Sequence, residues 1–372
     1  MTAGRVLIAG GGIAGLSLSL ALRDSGWRAE LIEREPGRCG GGAGLAVQPN
    51  AMRALHRLGA GAAVEKAGSV VERFGYRDLR GAWLCDVSLG DLWAGVGPFI
   101  GISRAALHDA LRCRPDRCRY GVTVTALQPR GDRVLVTFHD ATTAEYDLVV
   151  GADGLNSEVR RLAVGGPEPA YAGQVAWRSL APAGATPLGG VQFWLGDDRF
   201  FGLCPAGSGL VYGFGNVAGP RRHEPVPGRA RRLRDQFASF GAPVQEYLAA
   251  VPADDAIHCS PVEWLPGTTW SRGRVVLIGD AAHAMSPMMG QGGCMAIEDA
   301  LVLAGELGRA AGIPEALAAY ERRRRPRVEW VRSQSEHLTN LMRLPAAGRN
   351  EALRTHGARA FHDRYRPLTT AP

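Results

Sequence analysis

The segment 273–301 reads as a buried strand, a polar turn and a helix that opens on glycines. Its first part, residues 274–278, is a short β-branched apolar run bounded by glycines, which is typical of a strand buried on both faces. Asp280 follows the carboxyl end of this strand. Open α/β sheets bind ligands at that edge, and a carboxylate there accepts hydrogen bonds from hydroxyl groups. We therefore predict that Asp280, next to Gly279, binds the ribityl or ribose hydroxyls of a ligand.

A glycine-rich turn follows and leads into a helix from Met295 to about residue 308. Glycines leave backbone N–H groups bare at the positive end of the helix, so the turn favours negative charge on a bound group. A strand joined to a core helix by a flexible loop would explain any one of these glycines, but not the ordered set. The predicted contacts in this turn are Pro287, Gly290, Gln291, Gly292, Gly293 and Cys294.

A second glycine motif lies near the start of the chain, after a predicted strand over residues 5–9. It fits G-x-G-x-x-G, in which the glycines allow a tight turn, a close approach of backbone to a pyrophosphate, and tight packing of helix on strand. A second strand, residues 29–32, ends in an acid that can bind a ribose hydroxyl pair. The unit predicts an adenine dinucleotide, held by Gly10, Gly12, Ile13, Ala14, Gly15, Glu33 and Arg34.

A third cluster of glycine and acid occupies residues 147–161. An apolar run, residues 148–150, comes before Asp153, and Ser157 and Arg160 follow on a predicted helix start. Asp153 is a candidate ligand contact. An ordinary strand-to-helix turn with an Asp or Ser cap explains the same residues equally well.

The three segments, in this order, resemble the FAD-dependent group A aromatic monooxygenases, the family of para-hydroxybenzoate hydroxylase and salicylate hydroxylase. GGGIAG with Glu33 is similar to the ADP-binding motif of that family, GADGLNS to its DG motif, and GDAAHAMSPMMGQGGCMAIEDA to its GD motif. The resemblance covers most of the chain. It extends to residues 44–51, which begin at Gly44, and to residues 102–111, which supply Arg104 as a flavin contact. Many members have Asn where this chain has Cys294.

The resemblance implies FAD as cofactor, NADH or NADPH as a transient electron donor, and O2 as co-substrate. It also implies an enzyme of the EC 1.14.13 type that forms a C4a-hydroperoxyflavin and hydroxylates an aromatic or polycyclic small molecule, in secondary metabolism or aromatic catabolism. The backbone of residues 290–293 would stabilise the anionic flavin, and no side-chain nucleophile or metal is required.

The implied fold is α/β: a Rossmann-like FAD-binding domain of the GR2, para-hydroxybenzoate hydroxylase-like type, an antiparallel-sheet substrate domain and a long C-terminal helix. Alternating aromatic segments predict the antiparallel sheet, joined by a hairpin over about residues 70–91. A helix over about residues 314–343 is expected to kink near Pro326, and the tail after Pro345 to pack on the surface. The predicted FAD-binding domain is 1–69, 98–165 and 270–312, the substrate domain 70–97 and 166–269, and the C-terminal helical segment 313–372.

The substrate site is the least specific part of the sequence. Alternation sends only about half of the aromatic residues of the sheet to the flavin side, and any single one of them is better explained as core than as a substrate contact. Together they predict a flat, largely apolar substrate, with Tyr212 and Arg178 as polar anchors. The candidate contacts are Arg178, Phe193, Phe201, Tyr212 and Phe214. His283 could act as an acid or base, but a structural hydrogen-bonding role is favoured.

Composition predicts a cytoplasmic enzyme. The 372 residues are 46% hydrophobic and 21% charged, which suits a large core in two domains. Seven cysteines without a CxxC pair or signal peptide indicate free thiols rather than disulfides or zinc, and we interpret the closest pair, Cys113 and Cys118, as structural. The apolar stretch 6–22 matches the nucleotide motif better than a membrane span. The resemblance implies a small aromatic substrate, O2 and NAD(P)H as partners. Nucleic acid and membrane are not expected as partners, and the expected assembly is a monomer or homodimer.

The net charge of +7 comes almost wholly from arginine, because Lys66 is the only lysine. One arginine cluster spans residues 222–234 and another spans residues 322–327. Such runs are usually solvated helix faces. Alternatively, one cluster steers the phosphates of NADPH or an acidic substrate inward, in which case kcat/KM for the donor should depend on salt.

Two other functions use the same motifs. A flavin-dependent epoxidase or halogenase could share the scaffold, but halogenases need a lysine near the substrate and a WxWxIP segment, which this chain lacks. Lys66 is predicted on a surface helix. A non-catalytic flavin-binding protein is also possible in principle, because binding motifs alone do not demonstrate turnover.

Overall fold

The computed structural model describes residues 4–37, 43–112, 118–184 and 188–372, so that Cys113 lies outside the described residues. Helices and strands are numbered in chain order within these ranges. The helices are α1 (Ile13–Ala21), α2 (Pro49–Arg57), α3 (Gly61–Ala67), α4 (Gly90–Trp93), α5 (Arg104–Leu111), α6 (Arg229–Gln236), α7 (Ala242–Ala250), α8 (Asp280–His283), α9 (Gly292–Arg309), α10 (Ile313–Met342) and α11 (Ala346–Tyr365). The strands are β1 (Arg5–Ala9), β2 (Arg28–Glu33), β3 (Gly44–Val47), β4 (Ser69–Val70), β5 (Arg73–Asp78), β6 (Trp83–Ser88), β7 (Ile100–Ser103), β8 (Cys118–Tyr120), β9 (Val124–Arg130), β10 (Arg133–Phe138), β11 (Thr143–Tyr146), β12 (Leu148–Gly151), β13 (Ala170–Pro182), β14 (Val191–Leu195), β15 (Arg199–Pro205), β16 (Leu210–Ala218), β17 (His258–Trp264), β18 (Ser271–Arg272) and β19 (Val275–Leu277).

A six-stranded sheet collects the three glycine motifs. Its order is β18-β19-β12-β1-β2-β8, and all neighbours are parallel except β18 and β19. The strands β1, β12 and β19 are almost wholly buried, as expected for strands covered on both faces. Because these three strands are adjacent and parallel, the turns that follow them meet at one edge. The Rossmann-like part of the predicted fold is confirmed.

A seven-stranded sheet forms the second layer, in the order β17-β13-β16-β15-β14-β5-β6. It is antiparallel as predicted, and the β5–β6 hairpin belongs to it. One pair departs from the prediction, since β14 runs parallel to β5. The chain passes through the six-stranded sheet between β6 and β14, and a connection of that length permits parallel pairing.

The two faces of the seven-stranded sheet bury different cores. One face packs under α6 and α7, where Trp177, Trp194 and Phe237 form a separate cluster. The other face joins the main core shared with the six-stranded sheet. A three-stranded sheet, in the order β3-β7-β4, packs against the seven-stranded sheet, and another, β11-β10-β9, adjoins the six-stranded one. The aromatic residues of the large antiparallel sheet are therefore divided between two environments.

The C-terminal part differs from the sequence-based expectation. The long helix α10 is present with Pro326 inside it, but residues 346–365 form a second helix, α11, rather than a surface tail. Phe361, Tyr365 and Leu368 are at most 3% exposed and enter the main core. The prediction of a surface tail is wrong, because Leu353, Gly357 and Phe361 recur at helical spacing and form a buried face of α11.

Helices that are long and apolar enough to cross a membrane are not found among the described residues.

Candidate active site

A cavity of about 260 Å³ opens at the carboxyl ends of β1, β2 and β12. Many of the residues predicted to hold an adenine dinucleotide line it. The lining residues named in the sequence analysis are Gly10, Gly12, Glu33, Arg34, Arg104 and Asp153. The structure thus brings together residues from three separate motifs at the edge where α/β sheets bind ligands.

Glycine is required at two positions of the first turn. Gly10 has φ of +114°, and a Cβ there would lie 2.3 Å from the carbonyl oxygen of Ala152. A Cβ on Gly15 would lie 1.9 Å from the carbonyl oxygen of Gly10. Any side chain at either position would push the turn apart, which explains the motif physically.

Glu33 is held in place before any ligand arrives. Its side chain is buried, and its two carboxylate oxygens accept hydrogen bonds from the backbone N–H groups of Gly11, at 2.7 Å, and Glu35, at 2.9 Å. The neighbouring Arg34 is exposed and lies 3.7 Å from the carboxylate of Glu35. The remaining acceptor capacity of Glu33 faces the cavity, so its predicted role at a ribose diol is sterically available.

Asp153 caps the helical turn that follows β12. One carboxylate oxygen accepts from the hydroxyl of Ser157 at 2.5 Å, and the other accepts from the N–H groups of Glu158 and Val159. The cap explanation for this cluster is therefore correct for the side chain, although Asp153 also lines the cavity. The nearby Arg160 is buried and donates to the carbonyl oxygens of Ala281 and Leu155. It fixes the cluster at residues 147–161 to the segment 273–301.

Asp280 lies at the start of α8, directly after β19. Its carboxylate is exposed and accepts no hydrogen bond from a described residue, and Gly292 at the start of α9 is its neighbour across the turn. A free carboxylate beside the open N-terminal end of a helix suits a hydroxylated ligand that also carries an electron-rich group. The structure places Asp280 after the carboxyl end of β19, and its assignment to the ribityl chain stays a prediction.

A buried amide network holds the glycine turn before α9. Gln291 donates to the side-chain oxygens of Gln48, at 2.7 Å, and Asn50, at 3.1 Å. Gln48 in turn donates to the carbonyl oxygen of Met289 at 2.7 Å, and Asn50 donates to Glu298 at 3.0 Å. These side chains are at most 3% exposed. The turn is therefore held by buried side chains. The backbone N–H of Gly290 donates to the carbonyl oxygen of Pro287 at 2.9 Å, and those of residues 291–293 donate to no described residue.

The network continues into α10 through buried charges. Arg324 is wholly buried and donates to Glu298 at 2.6 Å and to Asp299 at 2.8 Å. Burial disfavours the charged form of both acids. At Glu298 this effect is outweighed by Arg324 and Arg327, and at Asp299 it is outweighed by His283 and Arg324. The pKa of Glu298 is lowered, and the pKa of Asp299 is lowered to about 2. The arginine cluster on α10, expected to be a solvated face, instead supplies internal counter-ions at Arg324 and Arg327.

His283 has the structural role that the sequence favoured. Its Nε2 lies 2.6 Å from Asp299, whose carboxylate also accepts from the N–H of Gly279 at 2.9 Å. The ring is buried. Asp299 thereby ties the start of α8 to α9 and sets the position of Asp280.

Cys294 faces the protein interior. Its thiol accepts a hydrogen bond from the N–H of Gln48 at 3.4 Å, and burial raises its pKa to about 12. The side chain is therefore a neutral link between α9 and the segment after β3. A cofactor contact at Cys294 is therefore left to its backbone, and this contact stays a prediction.

An aromatic row crosses the face of the seven-stranded sheet that joins the main core. Cross-strand register places Tyr76, Phe193, Gly202 and Phe214 side by side, and Arg178 follows Phe214. The Phe193 and Phe214 rings lie 5.2 Å apart, and a Cβ on Gly202 would lie 2.3 Å from the Phe214 ring. Glycine at that position makes room for the ring. The row presents a flat apolar surface.

This aromatic face meets the glycine turn across β3. The Tyr212 ring, 5.0 Å from that of Phe214, packs so closely on Gly44 that a Cβ there would lie 2.6 Å from it. The next residue, Leu45, reaches within 3.5 Å of the Cβ position of Gly293. The aromatic face and the glycine turn before α9 therefore line one region of the molecule.

Phe201 must be removed from the candidate substrate contacts. It lies 1% exposed in the separate cluster under α6 and α7, with its ring 4.9 Å from that of Phe237. Side chains alternate along a strand, so Phe200 rather than Phe201 shares the face of Phe193, at 5.8 Å between ring centroids. The sequence pattern could not decide between two adjacent phenylalanines. The other candidates, Arg178, Phe193, Tyr212 and Phe214, share the face toward the six-stranded sheet.

Comparison with known proteins agrees with this geometry. An FAD binding domain family model matches residues 4–335. The chain is 36% identical to the aurachin C monooxygenase/isomerase of Stigmatella aurantiaca, over 85% of this chain and 84% of that protein. It is 35% identical to the 3-amino-4-hydroxybenzoate 2-monooxygenase PtmB3 of Streptomyces platensis, over 92% and 89%. The chain belongs to the family of FAD-dependent class A monooxygenases.

A solved structure supports the same assignment. Klebsiella pneumoniae HpxO, complexed with FAD and uric acid, superimposes on this monooxygenase with a TM-score of 0.90 at 29% identity, covering 98% of this chain and 97% of that one. The predicted family, para-hydroxybenzoate hydroxylase-like fold and FAD dependence are confirmed. In this monooxygenase the cavity at β1 and β2 fits the adenosine half of FAD. It is lined by Gly10, Gly12 and Arg104, and by Glu33, whose carboxylate is held by a backbone N–H group.

The sequence did not reveal the residues that support the site from behind. Gln48, Asn50 and Arg324 lie outside the GD motif, and polar or charged residues of these types are mostly found on the surface. A polar residue within an apolar helical stripe is the signal that could have indicated Arg324, since it lies between the buried residues Tyr320 and Val328.

Proposed function

We propose that this monooxygenase uses a nicotinamide donor and O2 to hydroxylate a flat aromatic or heterocyclic small molecule. The observation that carries the proposal is the aromatic row, which faces the same region as the glycine turn. The related proteins are named for action on aurachin C and 3-amino-4-hydroxybenzoate, and HpxO was solved with uric acid. 3-Amino-4-hydroxybenzoate and uric acid are ring compounds, and a stack of phenylalanines suits such a substrate.

The chain's own residues would divide the work as follows. Glu33 and Asp280 accept hydrogen bonds from the ribose and ribityl hydroxyls, and Arg104 neutralises phosphate charge. The N–H groups of residues 291–293, at the start of α9, would stabilise negative charge on the pyrimidine edge of the flavin, whereas that of Gly290 donates to Pro287. FAD, once bound and reduced, supplies the chemistry of oxygen activation. The aromatic face excludes water and orients the substrate ring.

The first experiment is a visible spectrum of the purified protein followed by donor-consumption assays. We expect a flavin spectrum and NAD(P)H oxidation that a phenol, indole or polyketide panel stimulates, with oxygenated product formed in proportion. Flavin without stimulation by any panel member would favour the non-catalytic alternative. Product analysis also separates hydroxylation from epoxidation, because hydroxylation adds a hydroxyl group to the ring and epoxidation forms a three-membered cyclic ether.

The halogenase alternative has no support from the geometry. Its required lysine could only be Lys66, whose side chain is exposed on α3. Chloride-dependent product formation would revive it.

The substrate face can be tested with two phenylalanines. We expect Phe214→Ala to raise KM for the aromatic substrate about 10-fold or more, since burying such a ring contributes about 1.5–3 kcal/mol. Phe201→Ala, on the opposite face, should lower the denaturation midpoint but leave KM within about 3-fold. Steady-state kinetics with both variants would measure this, and equal KM changes would contradict the assignment of faces.

A further inference from the structure

His108 is a buried imidazole for which the described part of the chain supplies no hydrogen-bond partner. It is 1% exposed, and neither Nδ1 nor Nε2 reaches a donor or acceptor among the described residues. The buried ring of His283 differs, since its Nε2 lies 2.6 Å from Asp299. A buried polar group without a partner is unfavourable, so the position of His108 calls for a partner from outside the chain.

His108 forms part of the wall of the cavity at the carboxyl ends of β1, β2 and β12. Arg104 lies one helical turn earlier on α5, so that both side chains share one face of the helix, and it lines the same cavity. Glu33 lines the cavity from the end of β2. A group bound there therefore meets the imidazole together with the carboxylate and the guanidinium.

The imidazole of His108 is neutral near pH 7. Burial lowers its pKa to about 4, and the charges of Arg104 and Arg112 act in the same direction. Asp109 and Glu33 oppose this effect without reversing it. A neutral imidazole donates through one ring nitrogen and accepts through the other. Such a ring suits a neutral base better than it suits a phosphate.

The other groups of the cavity leave the base as the partner for His108. The glycine turn after β1 and Arg104 suit a pyrophosphate, and Glu33 suits the ribose diol. Val122 and Val124 also line the cavity and are 8% and 2% exposed, so they offer an apolar wall to a flat ring. An apolar wall with few polar groups is typical of a small-molecule site.

We propose that His108 hydrogen-bonds to the adenine ring of FAD and makes the cavity selective for this base. His108 is not among the contacts predicted from the sequence motifs or from the family resemblance. Its proposed role depends on the FAD dependence of the family and not on the proposed substrate.

A pair of nucleotides that differ in the base tests this role. Apoprotein is titrated with FAD, and ADP and UDP are then titrated in competition with FAD. We expect the wild type to bind ADP at least 10-fold more tightly than UDP. His108→Leu should weaken FAD and ADP about 10-fold and change UDP less than 2-fold, because one hydrogen bond to the base is lost. His108→Gln, which keeps a neutral donor and acceptor, should restore part of the affinity.

Asp109→Asn is the control, because Asp109 follows His108 on α5 and its side chain is 64% exposed. It should leave all three dissociation constants unchanged. His108→Leu removes two unpartnered buried nitrogens, so the thermal midpoint of the apoprotein should not fall. Unchanged FAD and ADP affinities in His108→Leu would overturn the proposal. Equal losses for ADP and UDP would overturn it as well, since they would indicate a contact with ribose or phosphate, or a packing role.

The pH distinguishes a neutral imidazole from a charged one. The ratio of FAD dissociation constants between His108→Leu and the wild type should be the same at pH 6 and pH 8, because both lie above the pKa of about 4. A larger ratio at pH 6 would indicate an imidazolium bound to phosphate and would contradict the assignment to the base. FAD binding is measured without donor or substrate, so failure here leaves the proposed hydroxylation standing.

Discussion

Arg324→Met is expected to lower the free energy of unfolding by about 3–5 kcal/mol, the usual cost of removing one partner from a buried ion pair. The substitution leaves Glu298 and Asp299 buried with only part of their compensation, from Arg327 and His283. Chemical denaturation of the apoprotein measures the loss. Because Glu298 also accepts from Asn50, which bonds to Gln291, FAD affinity should fall as well.

Arg325→Gln is the matched control on the same helix. Arg325 is partly exposed and pairs with Glu321 at 2.9 Å, so its loss should cost less than about 1 kcal/mol. A stability loss in Arg324→Met no larger than in Arg325→Gln would show that the buried network contributes little.

The same network predicts a pH dependence. The pKa of Asp299 is about 2 in the folded protein, below the value near 3.9 of an unfolded aspartate. Its contribution to stability is therefore complete above about pH 4 and is lost as the pH falls toward 2. Asp299→Asn should flatten this acid limb of the stability profile. An unchanged limb would assign acid unfolding to other carboxylates.

Asp280→Ala is expected to raise the dissociation constant for FAD about 10- to 100-fold, since a hydrogen bond to a charged group contributes about 1.5–3 kcal/mol. The side chain accepts no hydrogen bond from a described residue, so the stability of the apoprotein should be unchanged. Flavin fluorescence on titration of apoprotein measures the affinity. Asp280→Asn, which keeps one acceptor oxygen, should give an intermediate value. Full flavin retention in Asp280→Ala would show that the residue is misassigned.

Much of the fold followed from local patterns. The strands β1, β12 and β19 are apolar runs next to glycines whose backbone conformation or close contacts exclude side chains, and such features are visible in a single sequence. The register of the seven-stranded sheet is not visible in a single sequence. Phe200 and Phe201 differ only in which face they occupy, and pairing with β14 and β16 decides that.

The supports of the site could not be predicted for a related reason. Arg324 and Asn50 lie outside the glycine motifs in the chain, and their environment depends on how α2 and α10 pack. A charged residue in a helix is usually solvated, so composition pointed to the surface. Tertiary packing reversed that expectation.

The carbonyl oxygen of Met289 accepts hydrogen bonds from Gln48 and from Tyr365, residues that are 317 positions apart. During synthesis the first of these donors emerges early and the second emerges after the whole glycine motif. The glycine turn before α9 therefore receives both of these hydrogen bonds only when α11 has docked. We therefore expect tight capture of FAD to follow translation of residue 365 rather than completion of the nucleotide-binding motifs.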